Sequence, residues 1–348
     1  MSNDAQPPLN MFAAQQAILV ERLSLLLATL HPLLRADVLR AFQEKGKLLS
    51  QPQADASFAS PQPLTLPAGS WPLLTLLVAQ HIAPGIDPLY ASSVAIAVEC
   101  YVCALDLLDD IEDGDQTPIV QALGPARTLN VSTSLLMLTQ RAILSLSQLG
   151  IASERILSIL DAIQESTLAA TAGQHRDLLA ELRSARDLTR EECIEIAAGK
   201  AGAIMRLACR LGALCAGATN ELLEQFSEIG ELLGISHQLD NDAHDLYYLL
   251  QSNTSAVTPS KATSMKTDLV REKKTLPVVL AAKRGDTLQR KPLSADEEKQ
   301  EYLRALNEGI IATWGICLLY RERARDRLQE IEAHRPITPA LRLLLGFD

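Results

Sequence analysis

Leu105-Asp106-Leu107-Leu108-Asp109-Asp110-Ile111-Glu112-Asp113-Gly114-Asp115 is the stretch on which the reading of this chain turns. Six acids fall within ten residues, yet the positions between them are Leu and Ile, which a solvated acidic run would not carry. The preceding segment, 91–104, is largely apolar and free of Gly and Pro, so the acids close the C-terminal end of a buried helix. Asp109 and Asp113 stand at i, i+4 on one helical face, and Asp110 reaches that side through its i+3 relation to Asp113. Carboxylates so close repel one another unless something cationic neutralises them. Hard oxygen ligands on a rigid element suit Mg²⁺, which takes one or two carboxylates and completes its shell with substrate phosphate oxygens.

The composition sets the frame for that helix. Of 348 residues, 47% are hydrophobic and only 4% aromatic, with Leu and Ala dominant and alternating strand patterns almost absent. That is an all-α protein with ample core. A net charge of −10 argues against nucleic acid as a partner. The six cysteines lie in apolar helical segments, and the Cys100/Cys103 pair has no second pair at zinc spacing, so buried free thiols are expected. No signal peptide and no uninterrupted apolar run of spanning length is visible, which predicts no transmembrane segment and a cytoplasmic location.

Along the chain, residues 1–10 read as a disordered N-terminus and 11–348 as one helical domain. Helices are predicted over Met11–Lys47 with a break at Pro32, Trp71–Ile82, and from Pro88 through the acids. Others follow over Ala126–Leu149, Ser153–Leu182, Thr189–Gly217, Asn220–Leu250, Thr275–Lys283, Asp296–Leu328 and Pro339–Leu345. Loops are predicted over 51–67, 252–264 and 285–295.

A second acidic site lies inside one of these helices, at Gly234-Ile235-Ser236-His237-Gln238-Leu239-Asp240-Asn241-Asp242-Ala243-His244-Asp245. Asn241 and Asp245 are i, i+4 and Asp242 and Asp245 are i, i+3, which again gives one face of oxygen ligands. Two such faces, each inside an apolar helix, point to a shared metal site whose natural ligand is a diphosphate.

In these features the chain resembles the polyprenyl synthetase (trans-isoprenyl diphosphate synthase) family of class I isoprenoid enzymes. Asp109-Asp110-Ile111-Glu112-Asp113 matches its first DDxxD motif, and 234–245 resembles its second, with Asn241 where the first Asp usually stands. Between and beyond them lie Gly173-Gln174 with Asp177-Leu178 (GQxxDL), Lys200-Ala201-Gly202 (KTG), and Asp268-Leu269 with Lys273-Lys274-Thr275-Leu276-Pro277 (DL…GKxTLP). The resemblance implies a single-domain helical bundle around a central cavity, with both acidic motifs at its mouth. It implies Mg²⁺, three ions with substrate bound, held by Asp109, Asp113, Asn241, Asp242 and Asp245. Asp109, Asp110, Asp113 and Asp242 are the implied catalytic residues, and Lys200, Lys273 and Gln238 the implied contacts to the substrate diphosphate. The implied reaction is ionisation of an allylic prenyl diphosphate and transfer of the prenyl group to an acceptor. A homodimer is left open.

Two departures bear on the acceptor. The family's GGKRxRP segment, whose bases bind isopentenyl diphosphate, is expected two helices ahead of the first acids, where this chain reads Ala68-Gly69-Ser70-Trp71-Pro72-Leu73. The Arg pair that follows the first acids in the family is missing as well, Gly114-Asp115-Gln116-Thr117-Pro118 standing in its place. A second diphosphate needs Lys or Arg at close range. Arg127 or a base among Arg321, Arg323, Arg325 and Arg327 is the candidate substitute, although that arginine series reads first as a salt-bridged exposed helix. Three outcomes follow: prenyl transfer, cyclisation by a terpene cyclase of the same fold, or a non-catalytic subunit of a prenyl synthase. His237 and His244 read as residues packed beside the site. Asp106 reads as a partner behind it, and Ala104, Leu105 and Tyr101 as the cavity floor, open to farnesyl or longer chains.

Overall fold

The computed structural model describes residues 12–48, 70–254, 273–284 and 295–347. The readings at 1–10, at 51–67, at Ala68-Gly69, at Asp268-Leu269 and over most of 252–264 and 285–295 lie outside the described residues. The described chain is all helix: α1 (Ala13–Leu27), α2 (Pro32–Glu44), α3 (Ser70–Ile82), α4 (Pro88–Glu112), α5 (Pro118–Leu144), α6 (Ser153–Glu181) and α7 (Arg190–Ala197). After these come α8 (Ala203–Cys215), α9 (Asn220–Thr254), α10 (Leu276–Arg284), α11 (Ala295–Glu332) and α12 (Pro339–Leu344). Among the described residues there is no strand.

Local chemistry sets the helix starts. Pro88 opens α4 at a position where its missing N–H costs nothing, and the Asp87 carboxylate accepts the Leu89 N–H at 2.8 Å. At α7, Thr189 and Glu192 cap one another reciprocally, at 3.0 and 2.7 Å. α5 begins at Pro118, earlier than periodicity suggests, and bends at Gly124, whose φ of 75° lets Pro125 follow inside the helix.

Packing centres on α4. Every residue from Tyr90 to Ala104 is buried, against α3, α5, α8 and α1. Each large apolar side chain taken wholly out of water contributes about 1.5–3 kcal/mol. Hydroxyls fix the register between these helices: Ser132 donates to the Ala104 carbonyl at 2.9 Å and Thr75 to that of Ala208 at 3.0 Å. Among the described residues α4 alone is long and apolar enough to cross a membrane, although Glu99 interrupts its apolar run. Its apolar window is 83% buried inside the bundle, as suits a core helix. All six cysteines are free and buried, as their apolar setting predicts.

Candidate active site

Acids at the C-terminal end of a helix face two penalties, mutual repulsion and the negative end of the helix dipole. The fold answers with four lysines, one to each of Asp106, Asp109, Asp110 and Asp113. Lys45 pairs with Asp110, Lys47 with Asp106 at 2.6 Å, Lys200 with Asp109 at 3.1 Å, and Lys273 with Asp113 at 2.5 Å. The aspartates divide between faces of α4. Asp109, together with Glu112, lines a cavity of about 310 Å³, near the lower end of the range of ~300–1,000 Å³ usual for ligand pockets.

Asp110 faces elsewhere, which corrects the expectation that it joins Asp113 on the cavity side. It is buried, bound by Lys45 and by the Thr117 hydroxyl at 2.8 Å, and does not line the cavity. Burial raises its pKa, and Lys45 opposes the rise. Asp113 ends α4 at 1% exposure, held by Lys273 and by the Gln174 amide at 3.1 Å. It therefore supports the rim, while Lys273 and Gln174 line the cavity beside it.

Lys200 reaches the cavity through an irregularity. Between α7 and α8 the chain makes one π-helical turn, Ala198–Gly202, and Lys200 has ψ −105° within it. Glycines allow the close packing around this turn. A Cβ on Gly173 would lie 2.6 Å from the Gly199 carbonyl carbon, and one on Gly234 only 2.3 Å from the Ala201 oxygen. α6 and α9 thus press on the turn from both sides, and the Lys200 ammonium bridges Asp109 and Asp177, the latter at 2.8 Å. Burial works against its charge, but the two carboxylates outweigh it and raise its pKa.

The second acidic motif faces the same space. Gln238, Asn241, Asp242 and Asp245 of α9 line the cavity with His237. The Gln238 amide donates to Asp242 at 3.0 Å, so its link to a substrate would run through that carboxylate. Desolvation pushes Asp242 up to about 7, since Lys200 and Lys273 act on it only at a distance. Among the described residues no three acids or histidines enclose a metal ion by themselves. The donor set nevertheless fits Mg²⁺: oxygen ligands on two helices, a desolvated carboxylate, and room for phosphate oxygens between them.

The other walls are apolar: Val102, Leu105 and Leu108 of α4, Ile196, and Ile204 of α8. Of the expected floor residues only Leu105 lines the cavity. Ala104 is buried behind it, and the Tyr101 hydroxyl is 3.5 Å from that of Ser166, deeper in the core. His237 packs edge-on against Trp71 with ring centroids 6.4 Å apart, while His244 stacks away from the cavity on Trp314 and Tyr248. Glu112, Asp177 and Gln174 line the site although no role was assigned to them from sequence. The last two were legible as the GQxxDL motif. Lys45 and Lys47 were missed, and Lys45-Gly46-Lys47 at the end of α2 is the signal that would have found them.

A sequence profile of the family described as Polyprenyl synthetase matches residues 71–308, more than half of the chain. The chain belongs to the polyprenyl synthetase family. It is 30% identical over 225 residues to a (2E,6E)-farnesyl diphosphate synthase of Mycobacterium tuberculosis, covering 63% of this chain. It is 31% identical over 156 residues to the tryptophan prenyltransferase ComQ of Bacillus spizizenii, covering 44% of this chain. The matched regions span 58% and 50% of those relatives' own lengths, so the chain spans less than two thirds of each. A polyprenyl synthetase from Streptomyces coelicolor A3(2) has the same fold, with TM-score 0.69 at 22% identity over 96% of this chain and 97% of that one. The expected all-α isoprenoid synthase fold is therefore the observed one.

Proposed function

We propose that this chain is a prenyltransferase that ionises an allylic prenyl diphosphate and passes the prenyl group to an acceptor. One observation carries the reading: oxygen ligands from α4 and α9, the lysines Lys200 and Lys273, and an apolar wall all line a single cavity. Bound Mg²⁺, held by Asp109 and Glu112 on one side and Asn241, Asp242 and Asp245 on the other, would supply positive charge to the departing diphosphate. Lys200 and Lys273 hold the phosphate oxygens, and Asp177, Asp113 and Gln174 keep those lysines in place. Val102, Leu105, Leu108 and Ile204 shelter the allylic cation from water.

The test is diphosphate release from geranyl, farnesyl and geranylgeranyl diphosphates with Mg²⁺. Magnesium-dependent release is the expected result, and its absence with all three would overturn the reading. The names of the relatives leave the acceptor open, since they include both diphosphate synthases and a tryptophan prenyltransferase. A homodimer belongs to the same proposal, because α5 and α6 leave Met137, Leu157 and Leu168 exposed. Sedimentation equilibrium tests it, and a monomer at micromolar concentration would contradict it.

A further inference from the structure

We propose that Asp106 sets the acceptor class. By holding the buried Lys47 in an ion pair behind the cavity wall it keeps a second diphosphate out, and the acceptor is a nucleophile without phosphate. The inference rests on the reading of the cavity as an allylic-diphosphate site.

A diphosphate acceptor would need fixed cations of its own, because the first diphosphate takes the metal and the lysines at its pole. From Leu48 to Ala126, through the whole of α3 and α4 and the turn that follows, the sequence has no lysine or arginine. In sequence the bases nearest to α4 are therefore Lys45 and Lys47 on one side and Arg127 on the other. Each is committed within the chain. Lys47 is 7% exposed and lies 2.6 Å from Asp106. It also feels Glu99, two turns earlier on α4, which is wholly buried and accepts the Leu48 N–H at 2.6 Å. Lys45 is held by Asp110, and Arg127 by Asp37 at 2.7 Å on the surface. The four α11 arginines at 321–327 are engaged outside the cavity: Arg321 donates to the Gly346 carbonyl, Arg325 to Glu322 and Arg327 to Glu330, and Arg323 lies over the Tyr320 ring at 5.4 Å.

Asp106 itself lines the cavity, near Trp71 and His237. An acceptor that arrives at this wall meets a carboxylate, an indole edge and an imidazole. A diphosphate there would meet the Asp106 charge with its partner Lys47 already neutralised, and like charges at close range repel. A neutral or cationic nucleophile meets no such barrier. The packing at this position does not require an acid, because the Asp106 side chain is 35% exposed and Leu107 beside it supplies the core contact, while Glu99 stays near the buried Lys47.

The experiment compares the wild-type chain with Asp106→Ala and Asp106→Asn, farnesyl diphosphate being the allylic substrate and isopentenyl diphosphate the acceptor. With the Asp106 charge gone, Lys47 keeps Glu99 as a neighbouring carboxylate and its ammonium can turn to an incoming phosphate. KM for isopentenyl diphosphate should then fall about tenfold or more, the worth of a charge-assisted hydrogen bond. KM for the allylic substrate should not fall in parallel, a split that a merely structural role would not produce. The gain should vanish in the double variant Asp106→Ala/Lys47→Met. The asparagine variant preserves side-chain shape and serves if the alanine variant does not fold. Efficient elongation by the wild type at micromolar isopentenyl diphosphate, or no gain in a folded variant, overturns the proposal. If no form of the protein releases diphosphate from any allylic substrate, the cavity reading is what fails. Calorimetry with inorganic pyrophosphate then decides the role of Asp106: binding about tenfold tighter in the folded variants sustains the block on Lys47, and unchanged affinity refutes it.

Discussion

Asp109 and Asp113, which the DDxxD spacing treats as equivalent, stand in different surroundings and should respond differently to substitution. The Asp109 side chain is 28% exposed, and its partner Lys200 keeps Asp177 at 2.8 Å if Asp109 is lost. Asp109→Ala should therefore abolish turnover while the melting temperature holds or rises, because one member of a repelling cluster is gone. The Asp113 side chain is 1% exposed and Lys273 opposite it only 8%, so Asp113→Ala leaves a nearly buried ammonium without its closest carboxylate. Removing one partner of a buried pair costs about 3–5 kcal/mol, and a loss of about 3 kcal/mol is expected in urea denaturation. Equal stability in the two alanine variants would mean that Asp113 is not part of the structural rim. Leu105 is the residue for chain length, because it lines the cavity one turn before Asp109 while Tyr101 and Ala104 do not. Leu105→Phe should fill that turn and shift preference from farnesyl toward geranyl diphosphate by about tenfold in kcat/KM. An unchanged preference would place the chain-length floor elsewhere.

The elements that carry the site differ in how far the sequence announces them. α4 and α9 were legible because their acids recur at i, i+3 and i+4 inside apolar helices, a pattern that a solvated helix end does not produce. The same periodicity placed Asp110 on the cavity side. It carries no information about which partner a carboxylate will find, and Asp110, about 100° round the helix from Asp109, pairs with Lys45 outside the cavity. The lysines of α2 were hidden by distance along the chain. The twenty-one residues from 49 to 69 separate them from α3, and nothing local says that the end of α2 returns to the end of α4. The π turn was hidden as well, because Thr189–Gly217 keeps helical periodicity straight through it. Its signature is the glycines: Gly173 and Gly199 on facing segments, each with no room for a Cβ. Gly173→Ala would force α6 away from the turn at a cost of about 1–3 kcal/mol. It should also lower kcat/KM for the allylic diphosphate about tenfold or more by moving Lys200. Wild-type kinetics in a folded Gly173→Ala protein would show that the turn does not position that lysine.

For the whole molecule the decisive question is what the bundle binds first. In the ligand-free protein Asp109 is paired with Lys200 and Asp113 with Lys273. Mg²⁺ alone must therefore compete with the Lys200 ammonium at Asp109, and no trio of acids or histidines among the described residues encloses it. Pyrophosphate alone finds the lysines but enters a cleft lined by Asp109, Glu112, Asp177, Asp242 and Asp245. Each ligand removes the obstacle to the other, since the anion draws Lys200 off Asp109 and the metal then takes its place. Their effects on stability should be synergistic. Ligand bound at a hundred times its Kd adds about 2.7 kcal/mol to the folded state, which for a chain of this size is a rise of about 3–5 °C in Tm. Mg²⁺ alone and pyrophosphate alone should each shift Tm by less than about 1 °C, and EDTA should reverse the joint shift. Differential scanning calorimetry over the four conditions reads the coupling directly. A full shift with pyrophosphate in the absence of metal would mean that the lysines alone bind the anion and that the acids of α4 and α9 do not act as a metal site. Additive shifts would mean that the two ligands bind at separate places in the bundle.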